Sequence, residues 1–269
     1  MDFRVVYTHP LGAPFSIGMN GVLKAMEERK SDRAAFDLRK PVSREILRQI
    51  VEAARWAPSP HNMQNFEIIV VDDKASLKKI GRIRSTVSEA FIRENYEQLS
   101  FSKEELLRKK VGILGSHFPP AWRDPKRFGE ALRGDRRSTL SDTMDGCPAA
   151  LVVVYDPRKR APDSEGDFLG ILGLGCVMEN IWLAATALKV SYQVMSVFGE
   201  DEAGGELKRA LGIPSYMKVA YAVRLGYPVG PERKYLRVRR DLKDVVHHNR
   251  YGERGLRLGS SDSHMGASS

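Results

Sequence analysis

From Phe168 to Leu188 the chain is apolar around most of a helix's girth, with Ile171, Leu174, Val177, Met178, Ile181, Trp182, Ala185 and Leu188 distributed over it. A helix that is hydrophobic nearly all round needs cover on several sides. The segment therefore predicts a central buried helix. Three short, almost continuous apolar runs, Phe66–Val71, Ala149–Tyr155 and Met217–Leu225, read as buried strands bounded by turn residues. Tyr192–Phe198 is also β-like. Helical periodicity appears from Asn20 to Lys30, over 43–56 behind Ser43 as N-cap, and from Glu200 to Leu211. At the end of that last helix, Gly212 and Pro214 supply a stop signal. Leu77–Gly81, Val87–Leu99 and Glu104–Leu114 are further helical candidates in a polar middle section, 84–145, which reads as a variable or lid region. Residues 1–18, rich in Pro and Gly, read as an arm, and 253–269 as a flexible tail. The mixture predicts one α+β domain over 19–252.

The chain has 269 residues, 42% of them hydrophobic and 29% charged, which suits a folded globule and argues against disorder throughout. No uninterrupted run of about 18 apolar residues occurs, so no membrane-spanning helix is expected. The N-terminus lacks the basic and apolar regions of a secretory signal, and a cytoplasmic location is expected. Cys147 and Cys176 make neither a disulfide framework nor a zinc spacing. The net charge of +9 makes nucleic acid, anionic membranes and phosphorylated small molecules all plausible partners.

Three segments carry chemistry that could use that charge. Arg29-Lys30-Ser31-Asp32-Arg33 brings three cations and a hydroxyl to a helix end. It is either a phosphate clamp or a solvated basic terminus of the kind the helix dipole favours. Ala57-Pro58-Ser59-Pro60-His61-Asn62-Met63-Gln64 joins a helix to a buried strand. Two prolines stiffen it, and its polar groups suit the edge of a heteroaromatic ring or simply a turn. In Arg237-Val238-Arg239, extended alternation sends both guanidiniums to one side, as part of a phosphate site or of a basic surface strand. Gly170–Gly175 is ordered GxxGxG and follows a charged loop rather than a strand, so it is read as helix packing and not as a dinucleotide fingerprint. Glu179 and Asn180 read as interface or surface polar residues. His61 is the one histidine inside a candidate site, and a surface role is expected for it. No nucleophile elbow, P-loop or metal-binding histidine spacing occurs.

In order along the chain, these segments resemble the flavin-dependent nitroreductase family. Arg29-Lys30-Ser31-Asp32-Arg33 matches its opening Arg/Ser motif. Pro41-Val42, the helix 43–56 and the Ala57–Gln64 loop follow as they do in the family. Glu179–Ala185, Leu211–Pro214, Leu225–Pro228 and Arg239–Leu242 complete the series, over roughly 19–252. The chain departs from the family pattern at four places. There is one extra residue before Phe36, Asn65-Phe66 replaces Pro-Trp, Lys189-Val190-Ser191 replaces a Gly-Leu-Gly turn, and Asp241 replaces a proline.

The resemblance implies an α+β nitroreductase-like fold, with a central, mostly antiparallel sheet flanked by helices. It also implies an intertwined homodimer with FMN at the interface. Arg29, Lys30, Ser31 and Arg33, closed by Arg237 and Arg239, would hold the FMN phosphate and ribityl chain. Pro58, Ser59, Pro60 and Asn62 would meet the flavin ring, and Ser196-Val197 would present a backbone N–H near flavin N5. The implied activity is ping-pong transfer from NADH or NADPH to a nitroaromatic, quinone or related small-molecule acceptor, with no catalytic side chain and no metal. Reductive dehalogenation, flavin fragmentation and azoline oxidation are alternatives on the same fold. From another class, a basic nucleic-acid-binding protein remains open, although no reader motif and no interleaved stacking aromatics support it, and no nucleic-acid or membrane partner is expected.

Overall fold

The computed structural model describes residues 19–86, 88–90, 92–93, 125–133, 137–139, 144, 146–199, 201–230 and 239–255. The arm 1–18, most of 84–145 and the tail from 256 lie outside them. The chain divides into two compact units. One comprises 1–86 with 137–233, the other 87–136 with 234–269. The first is an α+β sandwich built on α1 (Met19–Glu28), α2 (Arg44–Arg55), β1 (Phe66–Val71), α3 (Lys74–Gly81) and β2 (Arg84–Thr86). It continues, after the chain returns, with β3 (Arg137–Thr139), β4 (Ala149–Tyr155), α5 (Phe168–Ala187), β5 (Ser191–Met195), α6 (Asp201–Leu211) and β6 (Lys218–Gly226). The second unit contributes α4 (Phe128–Arg133) and α7 (Leu242–Val245) to the described residues.

Four strands form one sheet in the order β1-β4-β6-β5, with every neighbour antiparallel. β4 is central, and all seven of its residues are buried. Its alternate side chains feed two cores, because successive residues of a strand point to opposite faces. Ala150, Val152 and Val154 join Leu77, Ile80, Phe198 and Leu207, so α3 and α6 cover one face. Leu151, Val153 and Tyr155 join Leu47, Ile50, Val177 and Ile181, so α2 and α5 cover the other. Burial on both faces explains why β4 reads as an unbroken apolar run. Two pieces were not visible in sequence. β2 and β3 pair as a short antiparallel ladder, Arg84 opposite Thr139, where the chain leaves for and returns from the second unit. Ladders of three residues are too short to show a period. The β-like reading of Tyr192–Phe198 is also corrected: the strand ends at Met195, and Ser196–Gly199 is a 3-10 turn.

The helix ends follow local chemistry. Ser43 Oγ accepts from Ile46 N, and Glu45 and Arg55 sit at the dipole-complementary ends of α2. α6 closes at Gly212, φ 68°, with Ile213 N donating to Lys208 O. α5 closes the same way at a lysine: Lys189 has φ 59°, Lys189 N donates to Thr186 O, and Val190 N donates to Ala185 O. This is the paired-bond stop that glycine normally provides, so the Lys189 departure from the family turn keeps the glycine conformation.

α5 corrects the sequence reading in one respect. By length and composition alone its 20 residues could cross a bilayer. It buries only one stripe, Gly173, Leu174, Val177, Ile181 and Ala185, against the sheet and α2. Phe168, Ile171 and Leu172 are 65%, 48% and 52% exposed. Girth-wide apolarity predicts cover on all sides, but it does not say that the cover comes from the same chain.

In the second unit, the chain just beyond the extended reading at Arg237–Arg239 is helical over Leu242–Val245. Residues 253–255, read as the start of a flexible tail, turn back: His248 N donates to Glu253 O, and Gly255 N to Val246 O.

Two substitutions test this packing. A Cβ on Gly226 would lie 2.6 Å from Phe36 Cδ2 and 2.8 Å from Pro148 Cδ. Gly226→Ala is therefore expected to destabilise by about 1–3 kcal/mol in denaturant unfolding. Lys189→Gly is expected to stabilise by about 0.5–1 kcal/mol, the relief of a left-handed non-glycine residue.

Candidate functional site

α5 fastens two of the sequence-predicted segments. Gly173 lies under the proline loop: a Cβ there would sit 3.4 Å from Pro58 O, 3.5 Å from Pro60 Cδ and 3.6 Å from Ser59 Cα. Asn180 Nδ2 donates to Ala53 O in the last turn of α2, 3.0 Å, one turn before that loop. The glycines of 170–175 are thus packing residues, as their order suggested. Further along α5, Trp182 Nε1 donates to Lys30 O (3.0 Å), and Glu179 Oε1 accepts from Arg29 Nε (2.6 Å). Gly173 and Trp182 are nine positions apart, which at 3.6 residues per turn is roughly half a revolution. The loop 58–62 and the segment 29–33 therefore lie against opposite sides of the helix, and one copy of the unit does not bring them face to face.

The segment 29–33 runs beside β5. Ser31 bridges Tyr192 in parallel, and Asp32 N donates to Tyr192 O (2.7 Å). Arg29 is half-buried, with its guanidinium 4.8 Å from the centre of the Trp182 ring. Trp182 in turn stacks on Tyr192 at 4.8 Å. Ser31 Oγ is buried and makes no hydrogen bond among the described residues. The Tyr192 hydroxyl shares that condition. Burial, with Tyr221 and Glu179 nearby, pushes its pKa far up, so it remains a neutral hydroxyl. Lys30 is half-buried and Arg33 exposed.

The loop 58–64 is held in an unusual shape. His61, Asn62 and Gln64 have φ of 47°, 54° and 43°, a region that costs L-residues about 1 kcal/mol each. Its own polar groups hold it: Gln64 N donates to Ser59 Oγ (3.0 Å), and Gln64 Nε2 to Asn62 Oδ1 (3.0 Å). Pro58, His61 and Asn62 are exposed, and Ser59 and Pro60 half-buried. Ser196 and Val197 open the turn after β5, exposed and half-buried respectively. As first residues of a helical turn, their N–H groups have no partner within it. Ser196 is four residues, about 13 Å, along the strand direction from the Tyr192 bridge to Ser31. Arg239 is an exposed residue of the second unit, and Arg237 lies outside the described residues.

Several structural supports escaped the sequence reading. Arg224, 3% exposed in β6, donates through Nε to Gln193 Oε1 (2.6 Å) and through Nη2 to Ala34 O (2.7 Å) and Asp32 O (3.4 Å). Its guanidinium also stacks 4.2 Å over Phe36. Asp32, 2% exposed, accepts from Ser191 Oγ (2.9 Å) and from Ala34 N (3.0 Å). These bonds hold the backbone after Ser31, including the extra residue before Phe36. A lone arginine inside the apolar run 217–225 was the available signal, since arginine is almost never buried unless paired. Likewise Glu179-Asn180 was the one polar pair inside an otherwise apolar helix. Arg224→Met is expected to cost about 1–3 kcal/mol, because it strands buried carbonyls. It should also speed amide hydrogen exchange at Asp32 and Ala34 more than in β4.

Comparison with known proteins bears on what this arrangement is. The model of the Nitroreductase family matches residues 26–227. A candidate NADH dehydrogenase/NAD(P)H nitroreductase of Archaeoglobus fulgidus is 25% identical over 233 residues, 87% of this chain and 100% of that protein. An NAD(P)H-dependent FMN reductase of Bacillus subtilis is 42% identical over a local match of 65 residues, 24% of this chain and 25% of that protein. Among solved structures, an FMN-dependent nitroreductase of Clostridium difficile superposes with TM-score 0.55 at 20% identity, over 85% of this chain and 99% of that one. A nitroreductase with bound FMN from Desulfitobacterium hafniense gives 0.52 at 24%, over 86% and 99%. These superpositions establish a shared fold, and the family model spans the helix, the loop and the strands that carry the segments above. The chain belongs to the Nitroreductase family.

Proposed function

We propose that the protein is an FMN-dependent oxidoreductase, working as a homodimer, that passes electrons from NADH or NADPH to a nitroaromatic, quinone or related acceptor. The observation that carries this reading is the segment 29–33. It sets Arg29, Lys30 and Arg33 beside Ser31 in sequence, whose buried hydroxyl makes no hydrogen bond among the described residues, and it is fastened to both α5 and β5. A hydroxyl buried without a partner is costly, and a phosphate or ribityl oxygen at Ser31 Oγ would remove that cost. The segment's cations match a phosphate in charge, and a guanidinium fork suits it in hydrogen bonding. The residues present therefore fit FMN.

In this reading Arg29, Lys30, Ser31 and Arg33 bind the phosphate and ribityl chain, with Arg237 and Arg239 closing the site. Pro58, Ser59, Pro60 and Asn62 border the ring, and Ser196-Val197 offer backbone N–H groups to its N5 side. Bound FMN supplies two-electron transfer between the nicotinamide and the acceptor, so no nucleophilic side chain is required. The pre-shaped loop 58–64 orients the ring edge without ordering cost at the moment of binding.

Two features support a second copy of the chain in the site. The loop and the cationic segment lie on opposite sides of α5, so a ring edge beside Arg29 needs a loop from elsewhere. In addition, Phe168, Ile171 and Leu172 form an exposed apolar stripe, with Val22, Leu23 and Met26 of α1 also exposed. Exposed apolar clusters of this kind mark contact surfaces.

The purified protein is expected to be yellow and to sediment as a dimer. It should oxidise NADH or NADPH with a nitroaromatic or quinone, giving parallel double-reciprocal lines. Replacing both Arg29 and Arg239 with Ala removes two charge-assisted contacts of about 1.5–3 kcal/mol each and should weaken FMN binding at least about a hundredfold. A double variant that keeps full flavin occupancy would contradict this phosphate site.

A further inference from the structure

Glu179 interrupts the apolar sequence of α5 between Met178 and Ile181, and its side chain is 36% exposed. Its carboxylate takes only the Nε edge of Arg29, at 2.6 Å. The Trp182 ring lies under the guanidinium plane at 4.8 Å and is itself pinned by Nε1 to Lys30 O and by stacking on Tyr192. One edge and one face of the arginine are thus fixed, and the Nη groups make no bond among the described residues. The Arg29 side chain keeps 28% exposure. Ion pairs this exposed add only about 0–1 kcal/mol to stability. Stability alone gives little reason for an acid in this helix.

We infer that Glu179 is a positioning residue for the anion site: by holding Arg29 at Nε it turns the Nη fork toward the cofactor phosphate, and its charge limits how tightly that phosphate is held. The inference rests on the proposed FMN site. A guanidinium fork recognises phosphate through two parallel N–H bonds and loses that match when it swings. Glu179 has therefore two separable effects. Its acceptor oxygen orients the arginine and raises phosphate affinity. Its negative charge, close to the same phosphate, lowers it.

The two effects separate in E179Q and E179A. Full-length, flavin-free protein is titrated with FMN and, as the probe lacking phosphate, with riboflavin, following quenching of flavin fluorescence. The wild-type chain should prefer FMN. E179Q keeps an acceptor oxygen without the charge and should bind FMN about threefold to tenfold more tightly than wild type, the scale of one removed charge at short range in a wet site. E179A also lacks the charge but frees Arg29, and should bind FMN about tenfold more weakly than E179Q. Riboflavin affinity should stay within about twofold in all three, which a general loosening of the fold would not allow. E179Q is isosteric and preserves the comparison with wild type even where E179A unfolds. An FMN-to-riboflavin ratio unchanged in E179Q overturns the role of Glu179 alone. A wild-type chain that binds riboflavin as tightly as FMN overturns the phosphate site and this role with it.

Discussion

The packing of α5 against β4 and β6 constrains the rest of the molecule, because one helix serves three surfaces at once. Its Leu174, Val177, Ile181 and Ala185 close the sheet core. Gly173 lets the proline loop approach to backbone contact, and Asn180 ties down the helix that precedes it. Glu179 and Trp182 hold the first residues after α1. Rotating α5 by one residue, about 100°, would withdraw the glycine, the core stripe and the acid from their partners together. Close packing in the sheet core therefore sets the geometry of the two segments as well.

The polar bonds beside β5 work in the same direction. A buried arginine is tolerable only with its donors matched, and Arg224 matches them largely to backbone carbonyls of Asp32 and Ala34. The result is a loop with an extra residue, relative to the family pattern, that is nevertheless held firmly. The segment before it, Arg29–Ser31, keeps a guanidinium edge and a hydroxyl that make no hydrogen bond among the described residues. Leaving such groups unmatched costs stability, and this expense is common at sites built for a ligand.

The proposed homodimer rests on the proline loop and the exposed stripe of α5. Phe168, Ile171 and Leu172 of α5, and Val22, Leu23 and Met26 of α1, are left exposed among the described residues. The loop that would border a planar ring lies half a turn away from the cations. A second copy would answer both at once, in keeping with a self-complementary interface between identical chains.

Much of the fold was legible in the residues. The runs 66–71 and 149–155 are strands at the predicted bounds, Ser43 caps the helix it was expected to cap, and Gly212 stops the one it was expected to stop. Apolar period, caps and turn residues act over a few positions, so local sequence determines them. The order of motifs likewise carried the family, since each motif answers a local backbone need. What tertiary structure alone decided lies in pairs far apart along the chain: Arg29 with Glu179, Arg224 with Ala34, Gly173 with Pro58. It also decided the sheet order and which side of an all-apolar helix stays uncovered. Those outcomes depend on strand register and on the rotation of one helix about its axis, and both are set by the packing of the whole core, which leaves no periodic trace in any short stretch of residues.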